Sequence, residues 1–122
     1  MIERLPMESA DGARRSLAVI HGDLVFLSGL SATDTAGDAK AQTTEVLARL
    51  DAALAAAGAS PRTLFCVHVW LRDMRDFGAM NAAWNAWADP AHPPARTCVQ
   101  GALYRPDVLV EVVATAFREP RP

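Results

Sequence analysis

The order of strand-like and helix-like segments predicts an α+β fold: a single domain over residues 1–122, with a mixed sheet and two helices on one face. Three observations support it. Apolar strand-like runs stand near the start, in the middle and near the end of the chain, and two segments of helical periodicity separate them. The composition, 51% hydrophobic and 21% charged, is typical of a globular protein. We see no repeat or linker that would divide the chain.

The first strands form a predicted β-hairpin. The runs Leu17–Ile20 and Leu24–Ser28 flank a turn at Gly22-Asp23, and turns of this kind favour hairpins. A loop over residues 31–38, rich in Ser, Thr, Asp and Gly, follows the second strand.

The first helix is predicted from Asp38, as N-cap, to about Ala57, with Gly58 as its stop. Its apolar residues recur at spacings of three and four, which gives one buried stripe: Leu47, Leu50, Leu54 and Ala57.

A strand is predicted over Thr63–Leu71, with Phe65, Val67, Val69 and Leu71 sharing one face. A second helix is predicted from Phe77 to Ala88, and the prolines at 90, 93 and 94 follow its end. The aromatic residues on one side of this helix are expected in the core: Phe77, Trp84 and Trp87.

Two further strands, from about Arg96 to Gly101 and over Val108–Phe117, complete the predicted sheet. Two helices can cover only one face of that sheet, yet several strands are apolar on both faces. An exposed apolar face of this size predicts a partner subunit. Oligomerisation therefore follows from the pattern.

Composition and motifs exclude several classes of function. Net charge is −2 and basic residues are scattered, so no nucleic-acid partner is expected. No signal-peptide-like or membrane-length apolar run is present, so we expect a cytoplasmic protein with no membrane partner, in which Cys66 and Cys98 are reduced thiols. The histidines lack ligand spacing and no phosphate-binding loop occurs, so we expect no metal and no cofactor.

Arg96 and Glu111 stand out because each is a charged residue inside a run that otherwise reads as a buried strand. A buried glutamate is costly unless it is paired, hydrogen-bonded or protonated, and Arg96 is the nearest obvious cationic partner. Arg96 could instead pair with an acid such as Asp89, and Glu111 could form an intersubunit ion pair. The hypothesis we carry forward is a binding site for a small anion, with an acid–base group among the residues of the site.

Four segments resemble the RidA family (YjgF/YER057c/UK114, or L-PSP) over roughly Leu17 to Phe117. They are Leu24-Val25-Phe26-Leu27-Ser28-Gly29, Asp76-Phe77 with Met80-Asn81, Pro94-Ala95-Arg96-Thr97-Cys98-Val99, and Val110-Glu111-Val112 with Ala114 and Ala116. The resemblance implies a chorismate-mutase-like subunit in a homotrimer with ligand clefts between subunits. It also implies hydrolysis of 2-enamines or 2-imines, such as 2-aminoacrylate and its imine tautomer, to a 2-keto acid and ammonia.

The resemblance also implies roles for individual residues. Arg96 would bind the substrate carboxylate, Glu111 would position or activate water, and the backbone at Cys98 would face the substrate. We do not expect Cys98 to act as a nucleophile, because the sequence places no histidine to activate it. Ser28 and Gly29 end a strand where a hydroxyl and an amide could meet a carboxylate, and Asn81 could brace the cleft.

Two departures indicate a divergent branch. Arg15 stands near the place of a family tyrosine, and Leu30 stands where Gln commonly follows Ser-Gly. The sequence leaves two other functions open. One is a trimer that binds or senses a small carboxylate without chemistry, although a pure anion binder gains nothing from a buried acid. The other is a ribonuclease, which the acidic net charge argues against.

Overall fold

The computed structural model describes residues 1–7 and 12–120, which form one sheet with two α-helices. The strands are β1 (Ile2–Pro6), β2 (Ser16–His21), β3 (Leu24–Leu27), β4 (Leu30–Ser31), β5 (Leu64–Leu71), β6 (Ala95–Gln100) and β7 (Val110–Phe117). The helices are α1 (Ala39–Ala56) and α2 (Phe77–Trp87).

The strand order across the sheet is β1-β2-β3-β7-β5-β6, and the short β4 pairs with β7. All neighbouring strands are antiparallel except β5 and β6, which run parallel because α2 connects them. Helix α1 packs on the sheet and α2 packs beside α1. The α+β prediction is confirmed.

Local signals in the sequence located the hairpin and the first helix. Gly22 takes a left-handed backbone conformation in the β2–β3 turn, with φ of 60°. Asp38 caps α1 by accepting a hydrogen bond from the amide of Ala41 at 2.9 Å, and Gly58 follows the helix with φ of 78°. The predicted α1 stripe is buried in the core.

Three features of the sheet differ from the sequence prediction. The short strand β4 was not predicted, and its Ser31 belongs to the segment that the sequence indicated as a loop. Strand β1, which pairs with β2 at the sheet edge, was not predicted, because a short run containing Glu3, Arg4 and Pro6 lacks a strong apolar pattern. The face assignment of Phe65 was wrong. The register of β5 shifts between Leu64 and Cys66, so Leu64 is buried with the core and Phe65 is exposed.

The sheet face opposite the helices, here called the open face, carries large apolar side chains that are 40% to 56% exposed: Phe26, Phe65, Trp70, Val99 and Phe117. A cavity of about 320 Å³ lies on this face, lined by His68, Trp70, Thr97, Val99 and Val113. The predicted uncovered apolar face is therefore present. Within the described ranges, neither helix is long and apolar enough to cross a membrane.

Candidate functional site

Arg96 lies on the edge strand β6 and its side chain turns toward α2. Its Nη2 donates a 2.7 Å hydrogen bond to Oδ1 of Asn81, and Nη1 lies 3.6 Å from the Met80 sulfur. The side-chain amide of Asn81 therefore fixes one end of the guanidinium.

Two aromatic rings of α2 also contact the Arg96 guanidinium. Its Cζ lies 5.2 Å from the ring centre of Trp84 and 5.8 Å from that of Phe77, within the range of cation–π attraction. The sequence interpretation placed both rings in the core. Trp84 is buried there, but Phe77 is 38% exposed, so its assignment to the core was wrong. The helical spacing correctly predicted that these two rings share one side of α2. It gave no sign that Arg96, which lies on the distant strand β6, packs against that side.

No carboxylate among residues 1–7 and 12–120 lies within ion-pairing distance of Arg96. Asp89, the alternative partner, accepts hydrogen bonds from the amide of Ala91 at 2.8 Å and from Nδ1 of His92 at 3.3 Å. The cation is thus held by a neutral amide and two rings, which leaves its charge available to an anion.

Cys98 lies on the same side of β6 as Arg96 and packs against the core. Burial raises the pKa of its thiol, and the positive charge of Arg96 only partly opposes this effect. His68 lies on the open face, where Nε2 is 3.6 Å from the Cys66 sulfur and Nδ1 is 2.6 Å from Oγ1 of Thr97. Cys98 therefore stays protonated at neutral pH, and no histidine among the described residues lies beside its thiol, which favours a wall residue over a nucleophile.

Glu111 lies on the open face of β7, opposite Trp70 of β5 and Ser31 of β4. Its carboxylate lies against Gly29: a Cβ built on Gly29 would be 2.9 Å from Oε2 of Glu111. A glycine is therefore needed for the carboxylate to take this position. No hydrogen bond of the Glu111 carboxylate is found within the part of the chain that the structure describes.

Helix α1 anchors the chain segment beside Glu111. Arg49 donates a short hydrogen bond to the carbonyl of Ser31, and Glu45 accepts bonds from the amides of Thr33 (2.6 Å) and Asp34 (3.0 Å). Partial burial would raise the pKa of Glu45, but these bonds, one from the Thr33 hydroxyl and the charge of Arg49 lower it overall. The anchored segment holds β4 against β7 and so fixes the backbone around Glu111.

Ser28 lies close to this segment, but its donors are used within the hairpin. Its amide donates to the carbonyl of Leu17 at 3.0 Å, and its hydroxyl donates to the carbonyl of Ser16 at 2.5 Å. The hydroxyl oxygen can still accept a hydrogen bond. The two predicted site residues at this strand end thus differ, since Gly29 makes room for Glu111 whereas Ser28 closes the hairpin.

The structure does not bring Arg96 and Glu111 together within one subunit. Arg96 aligns with Val67 on the helix side of the sheet, whereas Glu111 aligns with Trp70 on the open face. Two strand spacings and three residues of rise separate their backbones by about 14 Å. The expectation that Arg96 is the cationic partner of Glu111 was therefore wrong within one chain. Alternation of side chains along the strands put the two on opposite faces.

Sequence reasoning missed Trp84, Phe77 and Arg49 as residues that shape the site. The spacing of α2 gave a usable signal for the two aromatic residues, since both fall on the helix face that carries Met80 and Asn81. Nothing in the local sequence connects Arg49 with Ser31, 18 residues earlier. Among the described residues, no group of three or more His, Cys, Asp or Glu side chains could hold a metal ion.

The fold and site define a class of small α+β subunits that present an arginine at one sheet edge and a glutamate on an uncovered sheet face. The model of the family described as Endoribonuclease L-PSP matches residues 9–118. The chain belongs to this family, also named the RidA or YjgF/YER057c/UK114 family, and the resemblance read from its motifs is confirmed.

Two relatives and one solved structure align with most of this chain. It is 38% identical to the RutC family protein YoaB of Escherichia coli over 104 residues, which make up 85% of this chain and 90% of that protein. It is 36% identical over 100 residues to the 3-aminoacrylate deaminase RutC of Acinetobacter baylyi, covering 77% of this chain and 79% of that enzyme. The structure of NMB1025, a YjgF-family member from Neisseria meningitidis, superposes with a TM-score of 0.90 at 35% identity, covering 99% and 98% of the two chains.

Proposed function

We propose that this protein is a cofactor-free deaminase that hydrolyses small 2-enamine or 2-imine acids, of the 2-aminoacrylate and 2-iminopropionate type, to a 2-keto acid and ammonia. The observation that carries the proposal is the Arg96 guanidinium, which is ordered by Asn81 and two rings yet has no carboxylate partner among the described residues. The relationship to a 3-aminoacrylate deaminase supports the same reaction class.

Arg96 is suited to hold the substrate carboxylate. A guanidinium binds a planar carboxylate through two charge-assisted hydrogen bonds, and this fork sets the orientation of the substrate as well as its affinity. Asn81 occupies one Nη2 hydrogen and the Met80 sulfur one Nη1 hydrogen, which leaves three of the five N–H donors available for such a fork. The backbone of Cys98, two residues along β6, would form part of the adjoining wall.

Glu111 is suited to handle water in this reaction. Water adds to the imine carbon while one of its protons passes through the carboxylate to the nitrogen, which gives a tetrahedral carbinolamine. The hydroxyl of that intermediate then gives up the second proton, which the carboxylate passes to the nitrogen, so that the C=O bond forms as the C–N bond breaks and ammonia leaves. An enamine substrate first takes up a proton at carbon and gives up one from nitrogen to become the imine. Because the Glu111 carboxylate has no hydrogen-bond partner among the described residues, its oxygens can accept a proton from water.

The separation of Arg96 and Glu111 within one chain supports a site completed by a second subunit. A substrate of three or four carbons cannot span about 14 Å of backbone or reach both faces of one sheet. We propose a homotrimer in which the open faces pack together and Arg96 of one subunit meets Glu111 of its neighbour. The exposed apolar side chains of the open face support such burial.

The test couples imine formation to trapping. An amino-acid oxidase acting on alanine and related amino acids generates the imine, semicarbazide traps it, and active protein lowers the yield of semicarbazone. We expect wild type and Arg62→Ala, at an exposed arginine outside the site, to compete with trapping, and Arg96→Ala to lose this activity. Wild type that binds 2-keto acids but never lowers trapping would support the alternative, a carboxylate-binding protein without chemistry.

Light scattering tests the assembly. We expect the mass of three chains of 13.1 kDa. A stable monomer at micromolar concentration would contradict both the trimer and the shared site.

A further inference from the structure

Four residues on one face of α2 contact the Arg96 side chain. Phe77, Met80, Asn81 and Trp84 follow the spacing i, i+3, i+4, i+7, which places them on one side of a helix. All four contact the guanidinium, at 5.8 Å, 3.6 Å, 2.7 Å and 5.2 Å in that order. Burial of apolar side chains alone does not explain these contacts, because the group that they surround is a cation.

Trp84 is the contact that restrains the plane of the guanidinium. Its ring is 7% exposed and is packed further against Trp87, with 5.5 Å between ring centres. A fixed aromatic ring beside a partly desolvated cation attracts it and limits its tilt. Asn81 limits rotation within the plane by accepting from Nη2. The ring and the amide together keep the remaining edge of the guanidinium pointing in one direction.

We propose that Trp84 is a positioning residue that orients Arg96 for the substrate carboxylate. The inference rests on the proposed function of Arg96 as the carboxylate-binding group. Loss of the ring should leave the charge in place but allow the guanidinium to rotate. Affinity for a small 2-keto acid should then fall about tenfold, the scale of a partly buried cation–π contact, and turnover should fall further because orientation is lost as well.

The experiment compares Trp84→Leu and Trp84→Phe with Trp87→Phe as the matched control. Trp87 stands on the same helix, but its indole nitrogen donates to Asp51 at 2.9 Å, and phenylalanine at this position keeps a ring against Trp84. Pyruvate is the binding probe, and side-chain nitrogen NMR of Arg96 reports rotation of the guanidinium. For Trp84→Leu we expect about tenfold weaker pyruvate binding and averaged Nη signals. Trp84→Phe should retain most of both properties, and Trp87→Phe should match wild type in both.

A double-mutant cycle separates positioning from packing. In the Arg96→Ala background, Trp84→Leu should change pyruvate affinity less than twofold, because there is no guanidinium left to orient. An equal loss in both backgrounds, or unchanged binding and guanidinium rotation in a folded Trp84→Leu protein, would overturn the proposal. If Trp84→Leu does not fold, Trp84→Met decides, because methionine fills much of the same volume without a ring: unchanged guanidinium rotation and unchanged affinity in that variant would then refute the role.

The NMR measurement also keeps this inference distinct from the proposed function. Wild type that neither binds pyruvate nor hydrolyses imines would refute the deaminase. Faster guanidinium rotation in Trp84→Leu would still support the proposal that Trp84 orients Arg96, and unchanged rotation would reject it.

Discussion

Replacing Gly29 with alanine should move the Glu111 carboxylate without unfolding the protein. The new Cβ would lie 2.9 Å from Oε2 and 3.1 Å from Cδ, whereas ordinary contacts begin near 3.4 Å. The carboxylate must therefore retreat by roughly 0.5 Å, a distance well within the reach of a flexible glutamate side chain. Gly29 does not have a positive φ, so alanine fits its backbone. We expect the free energy of unfolding to change by less than about 1 kcal/mol.

The expected loss of activity follows from that displacement. A misplacement of about 1 Å in a catalytic group costs on the order of 100-fold, so a shift of half that size should lower kcat about tenfold. KM should change little, because in the proposed site the substrate carboxylate is held by Arg96 of the neighbouring subunit and not by Glu111. The trapping assay gives both constants, and light scattering checks that the oligomer is intact.

Gly78→Ala is the matched control, since a Cβ there meets nothing within 4 Å and the residue lies in α2. It should leave kcat unchanged and stabilise the helix by about 0.5 kcal/mol. In a Glu111→Gln background, Gly29→Ala should have almost no further effect on turnover. Wild-type kcat in Gly29→Ala would refute the reasoning, because the position of the carboxylate would then not matter.

Three further predictions test the site. Arg96→Lys should lose nearly as much turnover as Arg96→Ala, because lysine keeps the charge but not the planar fork; near-wild-type kinetics in the lysine variant would reduce Arg96 to a point charge. Glu111→Gln should bind pyruvate as wild type does while imine hydrolysis falls roughly 10²–10⁴-fold; a weakened trimer with parallel losses of binding and turnover would identify an interface ion pair instead. Since burial raises the pKa of Cys98, its alkylation by iodoacetamide in a Cys66→Ser background should be slower than that of a free thiol at neutral pH and should accelerate only above the usual thiol range. Arg96→Ala should slow it further by removing a nearby positive charge, and mass spectrometry that finds a fast-reacting Cys98 would contradict the raised pKa.

The structure also shows where local sequence information was sufficient. The cap at Asp38, the glycine stop at Gly58 and the hairpin turn at Gly22 depend on contacts or backbone angles within a few residues, so they were predictable. The unusual charges of Arg96 and Glu111 were visible for a similar reason, because each interrupts an apolar run.

Other features depend on residues far apart in the chain. The exposure of Phe65 follows from a register shift between β5 and β7, and the contact of Trp84 with Arg96 follows from the parallel placement of β6 beside β5. A periodic pattern reports that one side of a helix is covered, but it does not report that the covering group is a cation. The hydrophobic pattern therefore placed Trp84 in the core, where it lies, but gave no sign of its contact with Arg96.

For this protein, the sequence by itself determined the α+β class, the first helix and hairpin, the apolar open face and the two charged residues of the candidate site, because composition and short-range periodicity carry those properties. Only the tertiary structure decided that Arg96 and Glu111 lie on opposite faces of one sheet. The physical reason is that side chains alternate along a strand. The register between strands, which long-range hydrogen bonds set, fixes the face on which each side chain lies.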